Sequence, residues 1–205
     1  MTPRRGEVGV FAAVLLPLGT FAVLGVAAAG KGARGWDDAL LDLTERYYRS
    51  SLGAWLGRAL EVGELLAAVI LLVALLLLLK RRRRREAIFC ALAVGGVVAL
   101  DVPLKALFHR PGWSPSGLDT GDGYSFPSGY AMASIALIAA ITMISKPRWA
   151  KRILVVGVPL LVAIGAVLVY SWWHYPSDVV AGWCLAVSWV SALWIAIRPR
   201  PGAIP

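Results

Sequence analysis

Hydrophobic residues run along this chain in six long blocks, near 8–29, 58–79, 87–108, 127–145, 153–173 and 177–197, separated by shorter polar stretches. Each block approaches the ~20 residues an α-helix needs to cross the hydrocarbon core of a bilayer. Backbone groups in lipid must be satisfied within their own segment, so the pattern predicts helices. Between the first two blocks, Trp36-Asp37-Asp38-Ala39-Leu40-Leu41-Asp42-Leu43 through Tyr47 and Tyr48 alternates apolar and charged residues at helical spacing. That stretch predicts a short helix lying flat in the interface, a lid or packing element rather than a catalytic one. The expected fold is an all-α integral membrane protein: residues 1–205 form a single domain of six transmembrane helices with one interfacial helix between the first two. The first block is followed by others like it, so it is read as a retained span and not a cleaved signal.

Composition supports this reading, because 59% hydrophobic residues in 205 is too apolar for an ordinary soluble domain of that size. The formal net charge is +9, but the cations fall in short segments between the blocks. Fourteen of the 21 are Arg4 and Arg5, Lys80 with Arg81 through Arg85, Lys146, Arg148, Lys151 and Arg152, and Arg198 and Arg200. Six alternating spans put all of these on one side, which the positive-inside rule makes the cytoplasm. The expectation is a plasma-membrane protein with both termini cytoplasmic and with no nucleic-acid partner, since charge so distributed is a topology signal. Cys90 and Cys184 sit inside apolar runs without metal-ligand spacing and read as small buried hydrophobes, so no metal is expected. Glu61, Glu64 and Asp101 are intramembrane acids, read as ion partners for Lys105, Arg110 or Arg58. Asp119 and Asp122, in a Gly/Ser-rich connection, read as solvated.

The same topology gathers the unusual polar chemistry on the extracytoplasmic face. At the end of the third span, Lys105 and His109 are four apart and share a helix face, with Arg110-Pro111 following. A cationic cluster outside the cytoplasm points to an anion site, the alternative being side chains that reach for lipid headgroups. The fourth span opens with Phe126-Pro127-Ser128-Gly129-Tyr130. Pro127 suits the first helical position, Ser128 offers a hydroxyl, and Gly129 lets an anion approach the N–H groups of the first turn. Between the fifth and sixth spans stands His174-Tyr175-Pro176-Ser177-Asp178, where Pro176 fits the first position of the last helix and Asp178 its first turn. A carboxylate beside an imidazole is the arrangement that fixes a histidine's tautomer for nucleophilic or base chemistry. Cations, backbone donors and an oriented histidine on one membrane face describe phosphoryl transfer through a covalent intermediate.

Together, Lys105 with Arg110-Pro111, Phe126-Pro127-Ser128-Gly129, and His174-Tyr175-Pro176-Ser177-Asp178-Val179-Val180-Ala181-Gly182 resemble the three signature motifs of the membrane type 2 phosphatidic acid phosphatase family. That family shares its phosphate pocket with vanadium haloperoxidases. The resemblance implies a helical, metal-independent lipid phosphatase without a cofactor, acting on phosphatidate, phosphatidylglycerol phosphate or undecaprenyl diphosphate. It implies His174 as the nucleophile that forms a phosphohistidine, Asp178 as its orienting partner, and Lys105, Ser128 and Gly129 as phosphate ligands. The chain departs from the pattern at three places. Gly112-Trp113 stands where the first motif normally has Arg-Pro; Tyr130 replaces the histidine that acts as general acid; Val167 and Leu168 replace Ser-Arg at the start of the third motif. Losing a positioned acid costs about 10²- to 10⁴-fold, and losing one preorganised charge donor costs about 10²- to 10³-fold. His109 beside Arg110, and the hydroxyl of Tyr130, are the candidate substitutes. An acid matters less when the leaving group is itself a phosphate, so surviving activity is expected to favour diphosphates. The alternatives are a catalytically silent relative that binds lipid phosphates or serves transport or assembly, and a small channel or transporter.

Overall fold

The structure is a computed structural model that describes residues 5–30, 34–112 and 124–197. Arg4, Trp113, Asp119, Asp122, Arg198 and Arg200, all named above, lie outside the described residues. Seven helices follow in order: α1 (Arg5–Ala29), α2 (Arg34–Tyr47), α3 (Ser50–Lys80), α4 (Arg84–Phe108), α5 (Gly129–Ile144), α6 (Pro147–Tyr170) and α7 (Pro176–Ile197). Five of them, α1, α3, α4, α6 and α7, are long and apolar enough to cross a membrane. The chain is a multi-pass membrane protein with α2 as the expected amphipathic insertion.

The fourth expected span differs from the other five. It forms a helix of 16 residues, about 24 Å long at 1.5 Å per residue, against a hydrocarbon core of about 30 Å. Both of its ends are set by local chemistry. Ser128, in extended conformation, caps the start by accepting the Ala131 N–H at 3.3 Å. Extended Ser145 ends it, and Pro147 opens α6 two residues later. Helix α5 is the middle of the bundle, packed against α4, α6 and α7, with Ala131, Met132, Ser134, Ala136 and Ala140 buried. Small residues on this face let α4 and α7 approach closely, the usual solution where lipid offers no hydrophobic drive to association.

Two ends of the bundle carry different chemistry. At one, the turn between α3 and α4 and the start of α4 hold Arg81 through Arg85, and the Arg83 guanidinium reaches the Ile144 carbonyl at the close of α5. At the other, the end of α4, the start of α5 and the junction of α6 and α7 converge, as the Phe108–Phe126 ring contact and the Ser128 N–H to Asp178 carbonyl bond record. Helix α1 runs beside α7, and its Phe21 ring stacks on Phe126 at the second end. The candidate site residues and the arginine run therefore occupy opposite ends of the molecule.

Candidate active site

Pro176 begins α7, and Asp178 lies in its first turn. The preceding loop, Ser171 to Tyr175, is tied back to the end of α6: the N–H groups of Trp173 and His174 both reach the Leu168 carbonyl, at 3.1 and 3.3 Å. Trp172 takes a left-handed φ of 63° to make that turn. Leu168, in the place where the family pattern has an arginine, is fully buried among Ala131 and Val179. Trp173 packs against Gly57 of α3 and the Tyr130 ring.

His174 is 7% exposed, and its Nδ1 lies 3.0 Å from the Ser125 carbonyl oxygen. A carbonyl only accepts, so Nδ1 carries a proton, and in the neutral ring the lone pair is then on Nε2. Asp178 Oδ2 stands 3.7 Å from the same nitrogen, beyond hydrogen-bond reach, and takes the Tyr175 N–H at 3.0 Å. The bonded partner of the ring is thus the backbone of Ser125, a residue that no sequence motif singles out. Ser125 is held in turn by Arg110, whose carbonyl accepts the Ser125 N–H at 2.8 Å.

Arg110, 7% exposed, is the hub of a buried polar cluster. Its Nη1 donates to Asp178 Oδ1 at 2.5 Å and to Ser177 Oγ at 2.6 Å; its Nη2 donates to Asp37 Oδ2 at 2.6 Å. Its guanidinium carbon also lies 3.9 Å from the centre of the Tyr175 ring. Asp37 comes from α2, is fully buried, and accepts the Ser177 N–H at 2.9 Å and the Ser177 hydroxyl at 2.6 Å. The first N–H groups of a helix have no partner within it; at α7 the Asp37 carboxylate supplies one for Ser177, while that of Asp178 takes the N–H of Tyr175 just before the helix. Arg110 was expected to meet an anionic ligand, and here its fork is engaged by two carboxylates of the chain. Asp37 was expected on a packing element, and it belongs to the site.

The remaining candidates divide. Lys105 pairs with Asp101 at 2.9 Å, as the intramembrane acids were expected to do. A Cβ on Gly129 would stand 2.8 Å from Asp101 Oδ1, so Lys105, Asp101 and the start of α5 are neighbours. Ser128 is fully buried; Pro127 lies outside the helix that it was expected to open, and the Ser128 hydroxyl caps that helix instead. His109 departs from expectation. Helix α4 ends at Phe108, and His109 is the left-handed cap with φ 49°, so the shared helix face with Lys105 is broken. Its ring is exposed and packs edge-on against Tyr124 at 4.6 Å. Tyr130 stands on α5 next to Glu64 of α3, at the head of an apolar cavity of about 390 Å³.

The family model for the PAP2 superfamily matches residues 101–201, the stretch that contains every one of these site residues except Asp37 and Glu64. An undecaprenyl-diphosphatase of Sulfolobus acidocaldarius is 37% identical over 76 residues, which cover 37% of this chain and 34% of that relative. The match thus spans about a third of the relative's length. In fold, the chain is similar to the crystal structure of a transmembrane PAP2 type phosphatidylglycerolphosphate phosphatase from Bacillus subtilis, with a TM-score of 0.72 and 17% identity over 92% of this chain and 98% of that one. Residues 101–201 are what the chain shares with the PAP2 superfamily.

Proposed function

We propose that this protein is a membrane lipid phosphatase that hydrolyses a lipid phosphate or diphosphate through a phosphohistidine at His174, from a site on the extracytoplasmic face. The observation that carries the proposal is the state of the imidazole: Nδ1 is committed to the Ser125 carbonyl, and Nε2 is left as the nucleophile. The first turn of α5 presents backbone N–H groups and the positive end of a helix dipole to an anion, with Lys105 alongside. In-line attack forms the Nε2–P bond as the P–O bond to the lipid breaks, and the leaving oxygen departs with the electron pair. Water then attacks phosphorus, the N–P bond breaks, its electron pair returns to Nε2, and phosphate leaves.

The apolar cavity between α3, α4, α5 and α6 suits the lipid chain, with Leu60, Ala67, Val98, Leu137 and Ile164 in its walls and Tyr130 at its head. Tyr130 stands where the family has its acid, and a tyrosine hydroxyl with an ordinary pKa of about 10 is a weaker donor than an imidazolium. A leaving group that needs little protonation is therefore favoured, and undecaprenyl diphosphate is the preferred class over phosphatidate. The arginine end of the bundle is the cytoplasmic one by the positive-inside rule, which turns the site outward; α5 completes a sixth span within the shelter of its neighbours.

The test is phosphate release from undecaprenyl diphosphate, phosphatidylglycerol phosphate and phosphatidate by detergent-solubilised protein without added metal. Turnover by the wild type that disappears in H174A, fastest on the diphosphate, is the expected result. Equal rates on phosphatidate and the diphosphate sink the leaving-group argument; folded protein that binds vanadate without turnover on any of the three sinks the enzyme reading.

A further inference from the structure

We infer that Asp37, on the amphipathic helix α2, is a positioning residue for His174, acting through Arg110. The inference rests on the phosphatase reading for its kinetic consequence but not for its geometry. Two atoms face Nδ1 of His174: the Ser125 carbonyl oxygen at 3.0 Å and Asp178 Oδ2 at 3.7 Å. Arg110 holds both. Its backbone carbonyl takes the Ser125 N–H at 2.8 Å, and its Nη1 binds the other oxygen of Asp178 at 2.5 Å. The backbone of Arg110 thus holds the bonded partner of the ring, and its side chain holds the carboxylate that stands beside the ring, so the setting of that side chain bears on the ring through Asp178.

Asp37 is what sets that side chain. A guanidinium offers a planar fork, and one carboxylate fixes only one of its edges. With Nη1 on Asp178 and Ser177 and Nη2 on Asp37, both terminal nitrogens are held. The same Asp37 carboxylate grips the Ser177 N–H and hydroxyl, so it also fixes the start of α7, from which Asp178 projects. A packing role for α2 requires none of this. An acid buried without exposure is costly unless every oxygen is bonded, and an apolar residue at this position would pack α2 as well. Neighbouring Asp38 and Asp42 of α2 are exposed, so burial of Asp37 is particular to that position.

The experiment uses the full chain in detergent with ¹⁵N-labelled histidine. Two histidines are present in the sequence, so the resonances lost in H174Q assign His174. The wild type is expected to show one neutral ring form with the proton on Nδ1. In D37N, which keeps the shape and loses the charge, we expect a mixture of ring tautomers and a kcat lowered about 10- to 100-fold, the usual cost of removing an outer orienting group, with KM within about threefold. D37E is expected to recover part of both. R110K, which keeps the charge and loses the fork, is expected to behave as D37N does and decides the question should D37N not fold. A single Nδ1–H form retained in D37N, or in R110K in its place, overturns the inference whatever happens to Tm. A wild type that turns over no lipid phosphate, while D37N still mixes the tautomers, sinks the phosphatase reading and leaves Asp37 in its positioning role.

Discussion

A methyl group at Gly182 would stand 2.7 Å from the Ser128 carbonyl oxygen and 3.0 Å from the Ala131 Cβ. The nearest atom is backbone and cannot swing aside, so α5 and α7 must part. Overpacking of this kind costs about 1–3 kcal/mol, and a chain of this size loses about 2–4 °C of Tm per kcal/mol. We predict that G182A lowers Tm by several degrees and lowers turnover too, because the same crossing carries the Ser128 N–H to Asp178 carbonyl bond. Thermal denaturation beside phosphate release checks it; unchanged values in both would show that the two helices do not cross this closely. Sequence spacing located His174 and Asp178 because Pro176 between them fixes where the helix begins. It misplaced His109, since the i, i+4 rule holds only while a helix continues and α4 stops at Phe108. It read Asp37 as packing because its partners Arg110 and Ser177 lie 73 and 140 positions away. The one local signal was Leu41, four residues on and buried on the same face of α2, which marks Asp37 as inward-facing.

Helix α2 shows what periodicity reveals about an element and what it omits. Apolar residues at helical spacing were legible, but they fall on two lines of this helix, the inner one shared between Leu41 and the polar Asp37 and Thr44. Trp36, Leu40, Leu43 and Tyr47 are exposed at 41%, 42%, 51% and 71%, while Leu41 is 2% exposed. The outer line suits an interface between headgroups and acyl chains, and the inner line packs against α6 and α7. Truncating a buried leucine costs about 2–5 kcal/mol, whereas an exposed one has little to lose. L41A is therefore expected to lower Tm and to loosen Asp37 from Arg110, cutting turnover, while L40A leaves the detergent-solubilised enzyme close to wild type in both. Equal effects of the two would mean that α2 is not seated on Leu41. Element bounds followed the same logic as these faces. The second, third and last spans ended within a residue of their expected positions, but α6 begins at Pro147, six residues before its expected start at 153, and α3 at Ser50, eight before 58. Polar and small residues at its head, Gly53 and Gly57, pack under Tyr48 and Trp173 and so need no lipid-facing hydrophobicity.

At the scale of the whole molecule, the arrangement separates two kinds of positive charge. Arg81 through Arg85 cluster at one end, with Arg83 paired to Glu86 at 3.1 Å and reaching the carbonyl end of α5. Lys105 and Arg110 sit at the other, each against a carboxylate, Asp101 for the first and Asp37 with Asp178 for the second. Orientation follows the Lys/Arg bias of the short connections, and Lys80 with Arg81 through Arg85 concentrates six cations in one of them. The arginine turn is therefore expected to remain in the cytoplasm, with His109 and the site outside. Single-cysteine labelling tests this. With Cys90 and Cys184 replaced by alanine, H109C and R85C each put a thiol at an exposed position on opposite ends. A membrane-impermeant maleimide added to intact cells should label H109C at once and R85C only after the membrane is opened. Labelling of R85C in intact cells would invert the protein, and with it the side on which the lipid phosphate is met.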